Sequence, residues 1–186
     1  TEWQRRLDED QGLWMRAFLR TDRPKKPIVA AIEGFALAGG TEITLGSDIR
    51  VAGKSAQFGL SEAQLGLVPL CGGTARLVKQ IPYAIAVEML VTGKRITAKE
   101  AADLGMINHV VDDGKALEKA LEIADRIAKN GPIAVQTILA LARENIDLNE
   151  EQALANELEK GFPRVTSAEA IEGRKAFAEK RTPQFE

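Results

Sequence analysis

Apolar positions recur at roughly helical spacing from the start of the chain. Trp3, Leu7, Leu13, Trp14, Phe18 and Leu19 are separated by charged residues. That periodicity predicts an amphipathic helix over residues 2–20, with Gly12 as its weakest point. Residues 21–26 form a polar turn containing Pro24, and Pro27 bars a helix from continuing. The pattern then changes. Ile28-Val29-Ala30-Ala31-Ile32 is short, uncharged and rich in β-branched residues, as a strand covered on both faces would be. Residues 49–52 and 56–59 read as a second and a third strand. Between the first two, Gly39-Gly40 open a short helix over residues 41–47. Gly72-Gly73 open another, reaching Lys79.

From Pro82 onward the pattern is helical. Residues 84–91 are mostly apolar. Thr97 and Glu100 have the spacing of a capping box for a helix ending near Gly105. Residues 107–111 are a short extended piece. Leu117, Leu121, Ile123, Ala124 and Ile127 place an apolar stripe on a helix over residues 115–129, which Asn130-Gly131 should stop. Pro132 starts the next helix, to about Asn145. Another covers residues 149–160. Thr166 and Glu169 suggest a second capping box, opening a final helix to about Arg181. Strands come first and helices afterwards. Three short strands are too few for a stable sheet core.

The 186 residues suffice for one domain with a real core. The formal net charge of -2 gives no electrostatic case for nucleic acid or membrane binding. No apolar run approaches a bilayer span. Arg5, Arg6, Asp8, Glu9 and Asp10 argue against a signal peptide, so a cytoplasmic protein is expected. The single cysteine, Cys71, excludes an internal disulfide and a cysteine metal cluster, and no metal site is expected. The single histidine, His109, reads as structural or superficial. Cys71 has no basic partner nearby in the sequence that would activate it.

Two glutamates stand out against this background. Glu42 lies just after Gly39-Gly40, and Glu62 lies between Phe58-Gly59 and Leu65-Gly66-Leu67. A glycine run before a helix lets backbone N–H groups approach a ligand and favours developing negative charge. Glu42 sits about one helical turn beyond Gly39, so both can border one pocket. A glutamate at a glycine-led helix start, stabilised by the helix dipole, is the other reading of the same residues. Desolvation should raise the pKa of Glu62, and a carboxyl poised near neutrality can exchange protons. A surface or capping glutamate after a strand is the plainer alternative. The glycine pairs make neither a Walker nor a dinucleotide motif.

The stretch from Lys26-Pro27-Ile28-Val29-Ala30-Ala31-Ile32 through Gly34-Phe35-Ala36-Leu37-Ala38-Gly39-Gly40-Thr41-Glu42 resembles the signature of the crotonase, or enoyl-CoA hydratase/isomerase, superfamily. Residues 47–52, 56–59, Glu62, 65–69 and 72–77 continue the resemblance, as do 90–96 and 172–181. It implies an α/β fold: the C-terminal part of a crotonase-like ββα spiral core (residues 1–106), then a helical C-terminal trimerisation region (107–186). It implies an acyl-CoA thioester substrate and no separate cofactor, coenzyme A being part of the substrate. Glu42 and Glu62 match the catalytic pair of the hydratases, and Gly39 the oxyanion-hole donor. Leu37, Ala38, Leu65 and Pro69 match substrate contacts. Phe177 and Lys180 match C-terminal positions that approach the CoA nucleotide.

The sequence departs from the pattern in three places. Ala38 stands where a third glycine is usual, Leu60-Ser61 where Gln-Pro often precedes the second glutamate, and Leu70-Cys71 where Gly-Ala is common. Nothing in residues 1–25 resembles the family's upstream strands or their Ala-Gly-Ala-Asp-like oxyanion motif, so a longer natural protein is expected. The resemblance implies hydration of a 2-enoyl-CoA, as in fatty-acid β-oxidation. Double-bond isomerisation and a catalytically silent CoA-binding or assembly subunit are the alternatives. A homotrimer or hexamer is expected, with Leu139, Leu141, Leu154, Leu158, Ile171 and Phe177 as leftover apolar surface.

Overall fold

The structure is a computed structural model and describes residues 2–10 and 12–185. The chain forms two compact units. The first comprises residues 1–24 and 28–122, and the second residues 25–27 and 123–186. The division therefore falls after Glu122 rather than after residue 106.

The first unit opens with two short helices, α1 (Glu2–Glu9) and α2 (Leu13–Ala17), in place of one continuous helix. The chain breaks between them where Asp10 accepts the Gly12 N–H on its side chain, while Gln11 lies outside the described residues. Strands and helices then alternate: β1 (Val29–Ile32), β2 (Phe35–Leu37), α3 (Gly39–Gly46), β3 (Ile49–Gly53) and β4 (Gln57–Gly59). A 3₁₀ turn over Glu62–Leu65 leads to α4 (Gly73–Gln80) and α5 (Tyr83–Thr92). The unit ends with β5 (Ile96–Thr97), α6 (Ala98–Asp103), β6 (His109–Val111) and the start of α7 (Ala116–Ala128).

The pairing reveals a repeat. β1 pairs in parallel with β3, and β2 pairs in parallel with β4. Each strand pair followed by a helix is thus one ββα turn, and the second turn lies alongside the first. β6 joins the far side of β3 in parallel, which places it with the first unit. β5 joins β4 antiparallel. Gly34 turns the chain from one sheet to the other at φ 65°, a left-handed conformation that suits glycine. β1 and β2 are edge strands, each paired on one side only among the described residues.

One core joins both sheets to the helices. Ile32, Ala36, Leu45, Phe58, Leu60, Leu77 and Met89 belong to a single buried cluster. Burying large apolar side chains contributes about 1.5–3 kcal/mol each, so this cluster holds α3 against the sheets. Thr97 caps α6 as its spacing predicts, its hydroxyl accepting the Glu100 N–H while Glu100 accepts the Thr97 N–H.

The second unit is helical: α8 (Pro132–Asn145), α9 (Glu150–Gly161), a 3₁₀ turn over Phe162–Arg164, and α10 (Ala168–Ala178). Asn149 caps α9. Ser167, not Thr166, caps α10. Glu169 instead accepts the Ile133 and Ala134 N–H groups, so its carboxylate satisfies the start of α8. Leu141 is buried within this unit and leaves the expected apolar surface, whereas Leu154, Leu158, Ile171 and Phe177 are exposed. Ile138 joins them. Among the described residues no helix is long and apolar enough to cross a membrane.

Candidate active site

The site grows from the entry into α3. Ala38 is its N-cap, with φ 50° and ψ −120°. That conformation is natural for glycine and strained for alanine. It turns the chain sharply from β2 so that Gly39 begins the helix. As the first helical residue, Gly39 carries an N–H with no acceptor inside the helix. The Phe18 ring lies against it: a Cβ at residue 39 would meet Phe18 Cε1 at 2.6 Å, so any other residue would have to displace the ring.

α3 is buried over Thr41, Glu42, Thr44, Leu45 and Gly46. Glu42 is 4% exposed. A carboxyl cannot occupy such a place without partners. Its Oε1 accepts the backbone N–H of Cys71 at 2.6 Å and of Gly73 at 2.9 Å. Both donors lie at the start of α4, where N–H groups are unsatisfied by the helix itself. Gly73 must lack a side chain, because a Cβ would stand 2.6 Å from Pro69 Cβ and 3.2 Å from Glu42 Oε1. The glycine pair that signals a helix start in the sequence is thus also the clamp on Glu42.

Glu62 begins the 3₁₀ turn after β4. It is half-buried, and its Oε2 is sealed from solvent with no hydrogen-bond partner among the described residues. Burial raises its pKa, and the charge of Glu42 pushes it further the same way. Repulsion from Glu42 requires the two carboxyls to share a neighbourhood. Their surroundings differ: one oxygen of Glu42 is tied by two N–H donors, while Glu62 presents an unpartnered oxygen.

Leu37 and Ala38 lie half-buried at the turn into α3, and Pro69 is buried against Gly73. Leu65 is 75% exposed on the 3₁₀ turn. Cys71 is buried; burial and then Glu42 raise its thiol pKa, so nothing activates it as a nucleophile. His109 is exposed on β6. Phe177 and Lys180 belong to the second unit, where Phe177 is 87% exposed. Among the described residues no cluster of His, Cys, Asp or Glu could hold a metal ion.

Two features escape a reading of the sequence. Arg76 donates to the Leu19 and Cys71 carbonyls, tying the N-terminal segment to the turn that clamps Glu42. Gly72 lies beside its guanidinium, but the glycine there answers to a φ of 109° and does not announce the contact. Thr41 is fully buried in a polar role that nothing in its local sequence announces.

The sequence model of the enoyl-CoA hydratase/isomerase family matches residues 6–186. The enoyl-CoA hydratase EchA19 of Mycobacterium tuberculosis is 53% identical over 170 residues, which cover 91% of this chain and 64% of that protein. A carnitinyl-CoA dehydratase of Proteus mirabilis is 43% identical over 164 residues, covering 86% of this chain and 63% of its own. The chain thus spans a little under two thirds of the curated relatives it matches. The crystal structure of an enoyl-CoA hydratase from Bacillus anthracis superposes with a TM-score of 0.87 at 37% identity, covering 100% of this chain and 70% of that one.

Two outcomes follow from this geometry. Replacing Ala38 by Gly should raise stability by about 1 kcal/mol, since a strained left-handed alanine costs roughly 1–3 kcal/mol and glycine returns part of that as unfolded-state entropy. Thermal denaturation measures it, and an unchanged or lower Tm would show that Ala38 is unstrained. Glu62→Gln tests the raised pKa. A carboxyl whose folded pKa lies above its unfolded value contributes stability below the unfolded pKa, and loses it as pH rises through the folded pKa. The variant should therefore gain on the wild type as pH rises from about 4 to about 8. A difference in Tm that stays constant over that range would mean that Glu62 titrates as it does in the unfolded chain.

Proposed function

The chain belongs to the enoyl-CoA hydratase/isomerase family, and from that premise we propose that the whole protein is a hydro-lyase that adds water to a 2-enoyl-CoA thioester. The observation that carries this reading is the pair of carboxyls in unlike surroundings beside the N-terminus of α3. A thioester carbonyl placed at Gly39 would receive its N–H as negative charge develops on the oxygen. Glu42, with Oε1 occupied by Cys71 and Gly73, would orient water through its other oxygen. The water oxygen bonds to C3 as one of its protons passes to the free oxygen of Glu42, while the double-bond electrons move onto the thioester as an enolate. Glu62, protonated at the outset, gives its proton to C2 as the enolate collapses to the thioester, which completes the 3-hydroxyacyl-CoA, and proton exchange with water resets both carboxyls.

The same reading covers the rest of the protein. The substrate brings its own coenzyme A, and no further cofactor or metal takes part. Phe177 and Lys180 approach the CoA nucleotide, and Leu37, Ala38, Leu65 and Pro69 border the acyl group. Further strands of the whole protein pair with the edges of β1 and β2 and supply the second oxyanion donor. The protein works in fatty-acid metabolism in the cytoplasm, without nucleic acid or membrane partners. Isomerisation needs only one carboxylate, and the presence of both argues for hydration. A silent CoA-binding subunit would have no use for the unpartnered oxygen of Glu62.

Hydration of crotonyl-CoA by the whole protein, followed at the enoyl thioester absorbance, tests the reaction. Glu42→Gln and Glu62→Gln should each lower the rate by about 10²–10⁴-fold while acyl-CoA binding persists. Near-normal rates in both variants would defeat the two-carboxyl mechanism. Acyl-CoA binding without turnover by the wild type would favour the silent subunit.

Assembly is proposed as a trimer, or a pair of trimers, through the helical unit. Ile138, Leu154, Leu158, Ile171 and Phe177 are exposed there, and a large apolar surface usually marks an interface. Light scattering of the whole protein at micromolar concentration should give three or six times the subunit mass. A monomer would end this proposal.

A further inference from the structure

Thr41 lies between Gly39-Gly40 and Glu42, yet it takes no part in the chemistry proposed above. Its side chain is fully buried. The hydroxyl oxygen is 2.5 Å from the Ala36 carbonyl oxygen, to which it donates, and it accepts the Gly59 N–H at 3.0 Å. The Gly59 carbonyl oxygen is 2.9 Å from the same hydroxyl, but it receives the Ala38 N–H at 2.8 Å. One hydroxyl proton serves one acceptor, and the shorter contact identifies Ala36. Thr41 therefore links three elements: the middle of β2, the first turn of α3 and the end of β4.

Two consequences matter for the site. The bond to Ala36 closes a short loop that contains Ala38 and Gly39. A strained residue persists only where its neighbours over-determine it, and this closure spans Ala38. The direction of the Gly39 N–H depends on that turn. The Gly59 bonds, one to Thr41 and one from Ala38, fasten the start of α3 to the strand end three residues before Glu62. A single hydroxyl thus sets where the oxyanion donor points and how the helix carrying Glu42 registers with the turn carrying Glu62.

We infer that Thr41 is a positioning residue for the reaction: its hydroxyl holds Gly39, Glu42 and Glu62 in mutual register without touching substrate. This rests on the hydratase reading. Displacements of about 1 Å in such a constellation can cost about 100-fold in rate, whereas binding of the distant CoA moiety would not feel them. Valine keeps the shape of threonine but removes the hydroxyl that contacts the Ala36 carbonyl and the Gly59 N–H. Serine keeps the hydroxyl and loses only the methyl.

The test is steady-state hydration of crotonyl-CoA by the whole protein as wild type, Thr41→Val, Thr41→Ser and Thr41→Ala, with folding checked by thermal denaturation. Thr41→Val should lower kcat about 10- to 100-fold with KM within about twofold of wild type. Thr41→Ser should recover most of kcat. Serine and alanine differ at this site only by the hydroxyl, so Ser exceeding Ala in kcat by about tenfold or more supports the role even if the valine variant fails to fold. Equal kcat for Ser and Ala, or loss expressed as KM alone, would overturn it while leaving the hydratase reading intact. No hydration by the wild type would overturn both.

Discussion

The clamp on Glu42 is the constraint from which the rest of the first unit follows. α3 is buried along most of its length, and a carboxyl at its first turn is tolerable only with donors supplied. The donors are the Cys71 and Gly73 N–H groups, so the start of α4 must meet α3 face on. That approach forbids a side chain at residue 73 and brings Pro69 and Leu60 into the same contact. Breaking the clamp would leave a buried carboxyl and two buried N–H groups unpaired, each unmet group costing about 1–3 kcal/mol. The polar interaction that equips the site is therefore also a joint of the fold.

The opposite end of α3 is held just as firmly by different means. Arg50 is buried in β3 and donates to the Leu45, Ser47 and Met106 carbonyls. Burial pulls its pKa down to about 10, still far above neutrality, so the guanidinium remains charged. Arg23 reaches the Gly46 carbonyl and Gln80 the Leu45 carbonyl. Cationic and amide donors at a helix C-terminus complement its dipole and satisfy carbonyls that the helix leaves open. With both ends fixed, the strain at Ala38 has nowhere to relax. The rigid helix keeps its N-terminal N–H groups aimed at one place.

Much of this was legible in the residues. Gly39-Gly40-Thr41-Glu42 gave both the helix start and one carboxyl, and the apolar run before it gave β1. Glu62 was legible because short apolar segments surround it, and burial does raise its pKa. What could not be read has a common cause. β2 and β5 span three and two residues, too short for any alternation to register. Their strand character comes from pairing with β4, which is a long-range contact. The Thr166–Glu169 spacing misled for the same reason: Glu169 finds better donors at α8 than at its own helix start. Asp10 likewise splits the N-terminal helix by engaging the backbone near Gly12, which apolar spacing cannot foresee.

The unequal treatment of the two glutamates is where fold and chemistry meet. Hydration needs one group that holds water in a fixed attitude and another that exchanges a proton. The clamp suits Glu42 to the first task, because an oxygen held by two backbone donors fixes the direction of the other. Glu62 has no such clamp. Its unpartnered Oε2, its burial and the nearby charge of Glu42 all favour the protonated form. A proton on Glu62 is therefore held more tightly than on an ordinary glutamate, and in the proposed hydration it would pass to the substrate carbon. Glu42 thus supplies charge that helps poise Glu62, and the shared neighbourhood arises because α3 and the turn after β4 are pinned to the same strand end.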